Sequence, residues 1–251
     1  MVSALKNLIR AADLPITVRH EQWLARNDKY FNKEALDFSR LALSKEAGGG
    51  RRRKSMFRAS SSGTCARRQI FQVVTMPGRR EDLDPRVANI FLTGDFTHLK
   101  WQMAGLTQGW LVDAEVAMDR PELNFGGTLD GILDDGSGFE CKSINTRGFA
   151  SVNRYGVDPK HLRQVHSYML LAGIKTFSVV YEDKNTQEWR EFRVHQNPEI
   201  AAVVQEELDT LNESLSSKTL PDPLLSCQDQ EGSEYRNCPF RDVCLKQKEW
   251  P

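Results

Sequence analysis

The sequence predicts an α/β fold, a central mixed β-sheet flanked by helices. Two segments with clear helix start and stop signals bracket a β-hairpin, and a second strand pair follows them. At 251 residues the chain can bury a full core around such a sheet.

Residues 1 to about 45 read as polar helices, with Leu5, Leu8 and Ile9 in one and Tyr30, Phe31, Leu36, Phe38 and Leu41 in the next. "AGGGRRRKS" breaks that pattern, so a helical segment with a basic linker, 1–50, is expected before a larger domain, 51–251. In "DLDPRVANIFLTGDFTHLKWQMAGLTQG", Asp84 suits an N-cap, Pro85 the first turn and Gly109 the end. Val87, Ile90, Phe91, Gly94, His98 and Trp101 recur there at helical spacing, which predicts a buried stripe carrying His98. "WLVDAEVAM" reads as a strand, and "GGTLDGILDDGSGFECKSIN" as a hairpin split by an Asp/Gly/Ser turn. Asp158, Pro159 and Gly173 frame the helix "DPKHLRQVHSYMLLAG". "TFSVVYEDKNTQEWREFRV" is two strands around a polar turn, "NPEIAAVVQEELDTLNESLSSK" is an amphipathic helix, and the tail after "LPDPLLSC" is irregular.

Lys plus Arg and Asp plus Glu each total 34, so the net charge is zero and overall charge identifies no partner. Its distribution is more informative. No acidic residue occurs between Ala47 and Arg80, while Arg51, Arg52, Arg53, Lys54, Arg58, Arg67, Arg68, Arg79 and Arg80 all do. A locally basic stretch in a neutral chain suggests a phosphate-facing edge, with a solvated linker as the plainer reading of "GGGRRRK". No apolar run matches a membrane span or signal peptide, so a cytoplasmic protein without membrane contact is expected. Five cysteines argue against a disulfide framework and towards metal binding or burial.

Within the hairpin, Glu140 and Lys142 are two apart on one strand and therefore share a face, while Cys141 points the other way. Asp130 lies on the preceding strand. Carboxylates suit hard cations such as Mg²⁺ or Mn²⁺, and imidazole at His98 suits Mn²⁺. Lys142 beside such a site could orient a water or offset negative charge. Gln164 and Tyr168, spaced i and i+4, share a helix face. Taken singly, each has an ordinary structural explanation: a turn-flanking Asp, a surface ion pair, a core histidine, an amphipathic rim. The cysteines are less easily dismissed. Cys227, Cys238 and Cys244 sit in a tail too polar to bury anything by itself, and with Cys65 they make four thiolates able to hold Zn²⁺ or an iron–sulfur cluster.

In order, "GDFTH" ending at His98, "GTLD" ending at Asp130, "ECK" at 140–142 and "QVHSY" at 164–168 resemble the RecB-type nuclease branch of the PD-(D/E)xK superfamily. "RASSSGTCARR" and "CPFRDVC" resemble its iron–sulfur subgroup, which includes the fourth CRISPR-associated nuclease family, helicase–nuclease subunits of bacterial recombination and related phage exonucleases. The resemblance runs from about Phe57 to Leu245. It implies that His98, Asp130, Glu140 and the backbone carbonyl of Cys141 bind Mg²⁺ or Mn²⁺, that Lys142 positions the attacking water, and that Gln164 and Tyr168 line the site. It further implies a 4Fe–4S cluster on Cys65, Cys227, Cys238 and Cys244. Leu129 stands where the superfamily has its proline, and ten residues separate Cys227 from Cys238 where many relatives have two.

The expected function is a metal-dependent deoxyribonuclease, an exonuclease acting on single strands or duplex ends, with Arg67 and Arg68 on the DNA. Recombination, repair, CRISPR adaptation and phage DNA metabolism are its candidate settings, with protein partners in a recombination or CRISPR complex. A structure-selective endonuclease and a non-catalytic cluster-stabilised DNA-binding protein are the alternatives.

Overall fold

The computed structural model describes residues 14–27, 30–47, 57–75, 84–228, 230, 232–247 and 249–251. The expected helix around Leu5 to Ile9, the run from Arg51 to Lys54, and Arg79 and Arg80 lie outside the described residues. The chain order is α1 (Ile16–Leu24), α2 (Lys33–Ala47), β1 (Phe57–Arg58), α3 (Ala66–Thr75), α4 (Pro85–Gln108), β2 (Leu111–Arg120), β3 (Phe125–Leu133) and β4 (Gly138–Ile144). Then come α5 (Thr146–Tyr155), α6 (Pro159–Ala172), β5 (Thr176–Asp183), β6 (Trp189–His195) and α7 (Pro198–Ser217). The tail holds three one-turn helices, α8 (Leu225–Gln228), α9 (Ser233–Arg236) and α10 (Arg241–Cys244). Helices α3 and α5 were not singled out by the sequence pattern, while α1 falls within the stretch that reads as polar helices.

The principal helices start alike. Asp84, Asp158 and Asn197 each cap a helix by accepting from backbone N–H groups of its first turn, and each is followed by proline. Such caps stabilise a helix by about 1 kcal/mol, and proline there gives up only an N–H that has no helical partner. Gly109 and Gly173 end α4 and α6 in the left-handed conformation, at φ 73° and 70°.

The six strands form one mixed sheet ordered β1-β3-β4-β5-β6, with β2 on the other edge of β3. β4 and β5 are parallel, joined through α5 and α6, while β2–β3, β3–β4 and β5–β6 are antiparallel. β5 is buried at every position after Thr176, as befits a central strand. Its alternate residues feed two cores. Phe177, Val179 and Tyr181 pack with Val165, Tyr168, Leu208 and Leu211 of α6 and α7. Val180 packs with Phe139, Cys141, Trp101, Trp110, Ile16 and Ala35, so α1, α2 and α4 cover the opposite face. The expected division near residue 50 falls outside the described residues, and the helices before it contribute to this same core.

One expected burial pattern is wrong. Val87, Ile90 and Phe91 are 38 %, 44 % and 56 % exposed, and the α4 stripe becomes buried only at Thr97 and Trp101. Helical spacing places residues on one face. It does not determine whether another element reaches far enough to cover that face, and here among the described residues none does.

Candidate active site

The site forms where β3 and β4 part. Their ladder pairs Ile132 with Gly138 and Gly131 with Phe139. Leu133 donates to the carbonyl of Ser137, which leaves a loop of Asp134, Asp135 and Gly136, with Gly136 at φ +79°. That odd-numbered loop carries the register on so that Asp130 falls level with Glu140. For Asp130 to share a face with Glu140 and Lys142 the loop must be odd-numbered or carry a bulge, and Asp130 opposite Lys142 would put it at Asp135–Ser137. The observed turn lies one residue earlier.

Beyond Gly131 the backbone ladder stops and side chains replace it. Asp130 Oδ2 accepts the backbone N–H of Cys141 at 2.7 Å, and Asp130 Oδ1 lies 3.3 Å from His98 Nδ1 on α4. Glu140 Oε1 accepts from Lys142 Nζ at 2.5 Å and from Gln164 Nε2 at 2.9 Å, and Gln164 lies 3.4 Å from the Tyr168 hydroxyl on α6. The gap therefore joins His98 from one helical layer to Gln164 and Tyr168 from the other. A Cβ on Gly127 would stand 2.8 Å from the Tyr168 ring, so glycine at that point of β3 lets Tyr168 reach the site. Cys141 is fully buried on the opposite face, as alternation requires.

The electrostatics show a charge problem solved with protons and an ammonium. Burial, then the neighbouring Asp130 charge, pushes Glu140 up to about 7. Burial also works against charge on His98, but the charge and hydrogen bond of Asp130 outweigh it and raise the imidazole to about 9. Burial likewise opposes the Lys142 ammonium, and Glu140 and Asp130 overcome it, raising that group too. Asp130 is lowered: its burial is outweighed by His98.

Two groups absent from the sequence reading complete the surroundings. Gln102 Nε2 donates to the Asp130 carbonyl and to Glu115 Oε1, both at 2.9 Å. Gln102 is four residues after His98 on the same helix face, a spacing that could have marked it. Glu115 sits across from Asp130 on β2 with a positive φ of 54°, and no sequence pattern signals that.

Do these residues fit a cation? Among the described residues no group of three or more His, Cys, Asp or Glu stands ready to hold a metal ion. The reason is visible: His98 and Asp130 face each other, and Lys142 occupies Glu140 Oε1. Yet Glu140 Oε2 is buried without a hydrogen-bond partner among them. An orphaned carboxylate oxygen beside a second carboxylate is an arrangement that a divalent cation satisfies. On that observation the donor set fits.

The four remaining cysteines share one cavity, but among the described residues they do not form a group that could hold a metal ion. Cys65, Cys227, Cys238 and Cys244 line one cavity of about 250 Å³, with Arg68, Glu234 and Tyr235. All are free and partly exposed. Burial, then the nearness of Cys65, raises Cys227; burial raises Cys244 against the opposing hydrogen bond of Arg67. Glu207 of α7 holds the loop before Cys65 by accepting from the Ser62 hydroxyl, the Gly63 N–H and the Gln69 amide.

The basic pair at 67–68 separates. Arg67 is only 7 % exposed. It donates to the carbonyls of Pro221 at 2.8 Å, Cys244 at 3.0 Å and Gln247. The guanidinium of Arg67, expected on the DNA, is committed in this structure to the tail carbonyls. Arg68 remains at the cavity wall.

The sheet, its hairpin and the flanking helices are similar in fold to two solved structures. The alkaline exonuclease LHK-Exo of Laribacter hongkongensis, in complex with dAMP, matches at a TM-score of 0.52 and 18 % identity, over 65 % of this chain and 89 % of that one. SSO0001 matches at a TM-score of 0.51 and 14 % identity, over 82 % of this chain and 92 % of that one. No family model and no curated protein matches the sequence. No helix among the described residues is long and apolar enough to cross a membrane.

Proposed function

We propose that the protein is a divalent-metal-dependent deoxyribonuclease, an exonuclease that hydrolyses phosphodiester bonds of DNA strands or duplex ends in the cytoplasm. The carrying observation is the buried Glu140 Oε2, without a hydrogen-bond partner among the described residues, beside the Asp130–His98 pair at the parting of β3 and β4. The fold shared with an alkaline exonuclease supports it.

In this reading His98, Asp130, Glu140 and the Cys141 carbonyl would hold Mg²⁺ or Mn²⁺. A cation held there offsets charge on the scissile phosphate and acidifies water. The chain's own residues do the rest. His98 gives up the proton that its Asp130 contact favours, since only neutral imidazole ligates. Lys142 keeps its ammonium beside Glu140 and directs it at the attacking water or the phosphate oxygen. Gln164 fixes the Glu140 carboxylate through Oε1, leaving Oε2 for the cation, and Tyr168 walls the site. Arg68 contributes charge for the DNA backbone. Cys65, Cys227, Cys238 and Cys244 would supply the four thiolates for a 4Fe–4S cluster, which would link the tail to the start of α3. Work within a recombination, repair, CRISPR or phage complex with protein partners follows from the same resemblance.

The test uses single- and double-stranded oligonucleotides labelled at either end, with Mg²⁺ or Mn²⁺. Progressive shortening from one end is expected for the wild type. Asp130→Ala, Glu140→Ala and Lys142→Ala should each lower the rate on the order of 10²–10³-fold or more while retaining DNA binding. Wild-type cleavage by Glu140→Ala, or cleavage in chelator, overturns the assignment.

A further inference from the structure

Gly94 lies in the middle of α4, four residues before His98 and therefore on the same face. Glycine in a helix interior costs stability relative to alanine. Folds accept that cost where a Cβ would collide, as at Gly127, or where a left-handed φ is required. Gly94 has neither excuse. A Cβ placed on it meets nothing within 4 Å among the described residues, and its φ is that of an ordinary helix.

The empty position is continuous with the candidate site. His98 exposes 29 % of its side chain while facing Asp130. One turn beyond Gly94, Ile90 and Phe91 are 44 % and 56 % exposed. The face thus runs from exposed apolar side chains, across a notch of bare helix backbone, to the imidazole of the proposed cation site. Its apolar lining suits the sugar–base side of a nucleotide, whose rings pack on apolar and aromatic groups when not stacked in a duplex. The next phosphate along the strand would then lie over His98 and Asp130.

Resting on the nuclease reading above, we propose that Gly94 is a positioning residue: its missing side chain admits an unpaired DNA strand against the α4 backbone and seats the strand for cleavage. Ile90 and Phe91 border the entry.

Gly94→Ala tests this because two effects carry opposite signs. Melting temperature and the Kd for a fluorescent single-stranded oligonucleotide and for a blunt duplex are measured without divalent metal, and cleavage is then measured with Mn²⁺. Alanine should raise the melting temperature by about 2–4 °C, as a relieved helix glycine does. It should nevertheless weaken single-strand binding about tenfold, clearly more than duplex binding, and slow cleavage by 10- to 100-fold, the scale of a misplaced substrate. A raised melting temperature with unchanged single-strand Kd overturns the proposal, as does a wild type that binds no single strand. Equal loss on both DNAs overturns the choice of an unpaired strand. A lowered melting temperature overturns it too, since the space then belongs to another part of the chain. Failure of the nuclease reading looks different: the wild type binds DNA and cleaves none with Mn²⁺, and the Kd comparison still decides the role of Gly94.

Discussion

Arg67 and Arg68 are neighbours in sequence with opposite surroundings. Replacing Arg67 by alanine would leave three tail carbonyls without their donor, a loss of about 2–4 kcal/mol for a buried charged hydrogen-bond network. Arg67→Ala should lower the melting temperature by roughly 5–10 °C and leave DNA affinity unchanged. Arg68→Ala should hold the melting temperature, weaken DNA binding and flatten its salt dependence, since each phosphate contact releases counterions. Titration of affinity against salt separates the two, and equal loss of affinity in both would contradict the inward placement of Arg67. The basic run alone did not distinguish them. Helical phase contained a clue: Arg67 shares its face with Ile70 and Phe71, both buried. Glu140, Lys142 and Asp130, by contrast, were legible because strand alternation and motif order constrain them tightly. Gln102 and Glu115 were not, because they act through backbone groups and a left-handed φ that no residue pattern announces.

At the scale of elements, α1 is held by one aromatic nest. His20 is 4 % exposed, with ring centroids 4.5 Å from Trp101, 5.5 Å from Trp189 and 5.8 Å from Trp23. Burial, then the Lys100 charge, lowers its pKa from 6.5 to about 4. Between those values the unfolded chain binds a proton that the folded chain refuses, so the stability His20 contributes is complete above pH 6.5 and is lost as pH falls towards 4. The melting temperature should decline over that window, with a change in tryptophan emission as α1 loosens. The decline should be shallower in His20→Phe, and identical slopes in the two proteins would refute the cause. Helix caps at Asp84, Asp158 and Asn197 could be read from residue type, because capping is a local interaction. The exposure of the first three turns of α4 could not be read, because burial depends on partners far away in sequence.

For the whole molecule, the salient fact is that Cys65 and the distant Cys227, Cys238 and Cys244 line one cavity, with Arg67 bonded to the Cys244 carbonyl and Glu207 to the Gly63 N–H nearby. A group bound by all four sulfurs would cross-link distant chain segments, so ligand binding becomes folding energy. Protein purified without oxygen should be brown, with broad visible absorbance and four irons per chain. Cys238→Ser and Cys65→Ser should lose the colour and melt earlier, whereas Cys141→Ser, altered in packed core, should keep it. Colourless protein with one zinc per chain would replace the cluster with a zinc site and leave the proposed catalysis standing. Motif order in the sequence led to the expectation of a cluster on these cysteines, and the structure places all four on one cavity without a group that could hold a metal ion among the described residues. The way α1 and α2 join the same core as Cys141 and Trp110 was not anticipated, since their polar composition gave few apolar positions from which to infer a partner.

The three-residue turn of the β3–β4 hairpin has a hereditary consequence. Side chains alternate with a period of two, so one codon gained or lost between Leu133 and Ser137 exchanges the two faces for everything on one strand relative to the other. Asp130 would then leave Glu140 even though every motif residue remained in the gene. Two codons gained together would restore the pairing. Lineages descended from this hairpin should therefore show turn lengths that differ in even steps, or else single steps compensated by a bulge, and a library of one- to four-residue insertions after Asp135 should show activity returning at every second length.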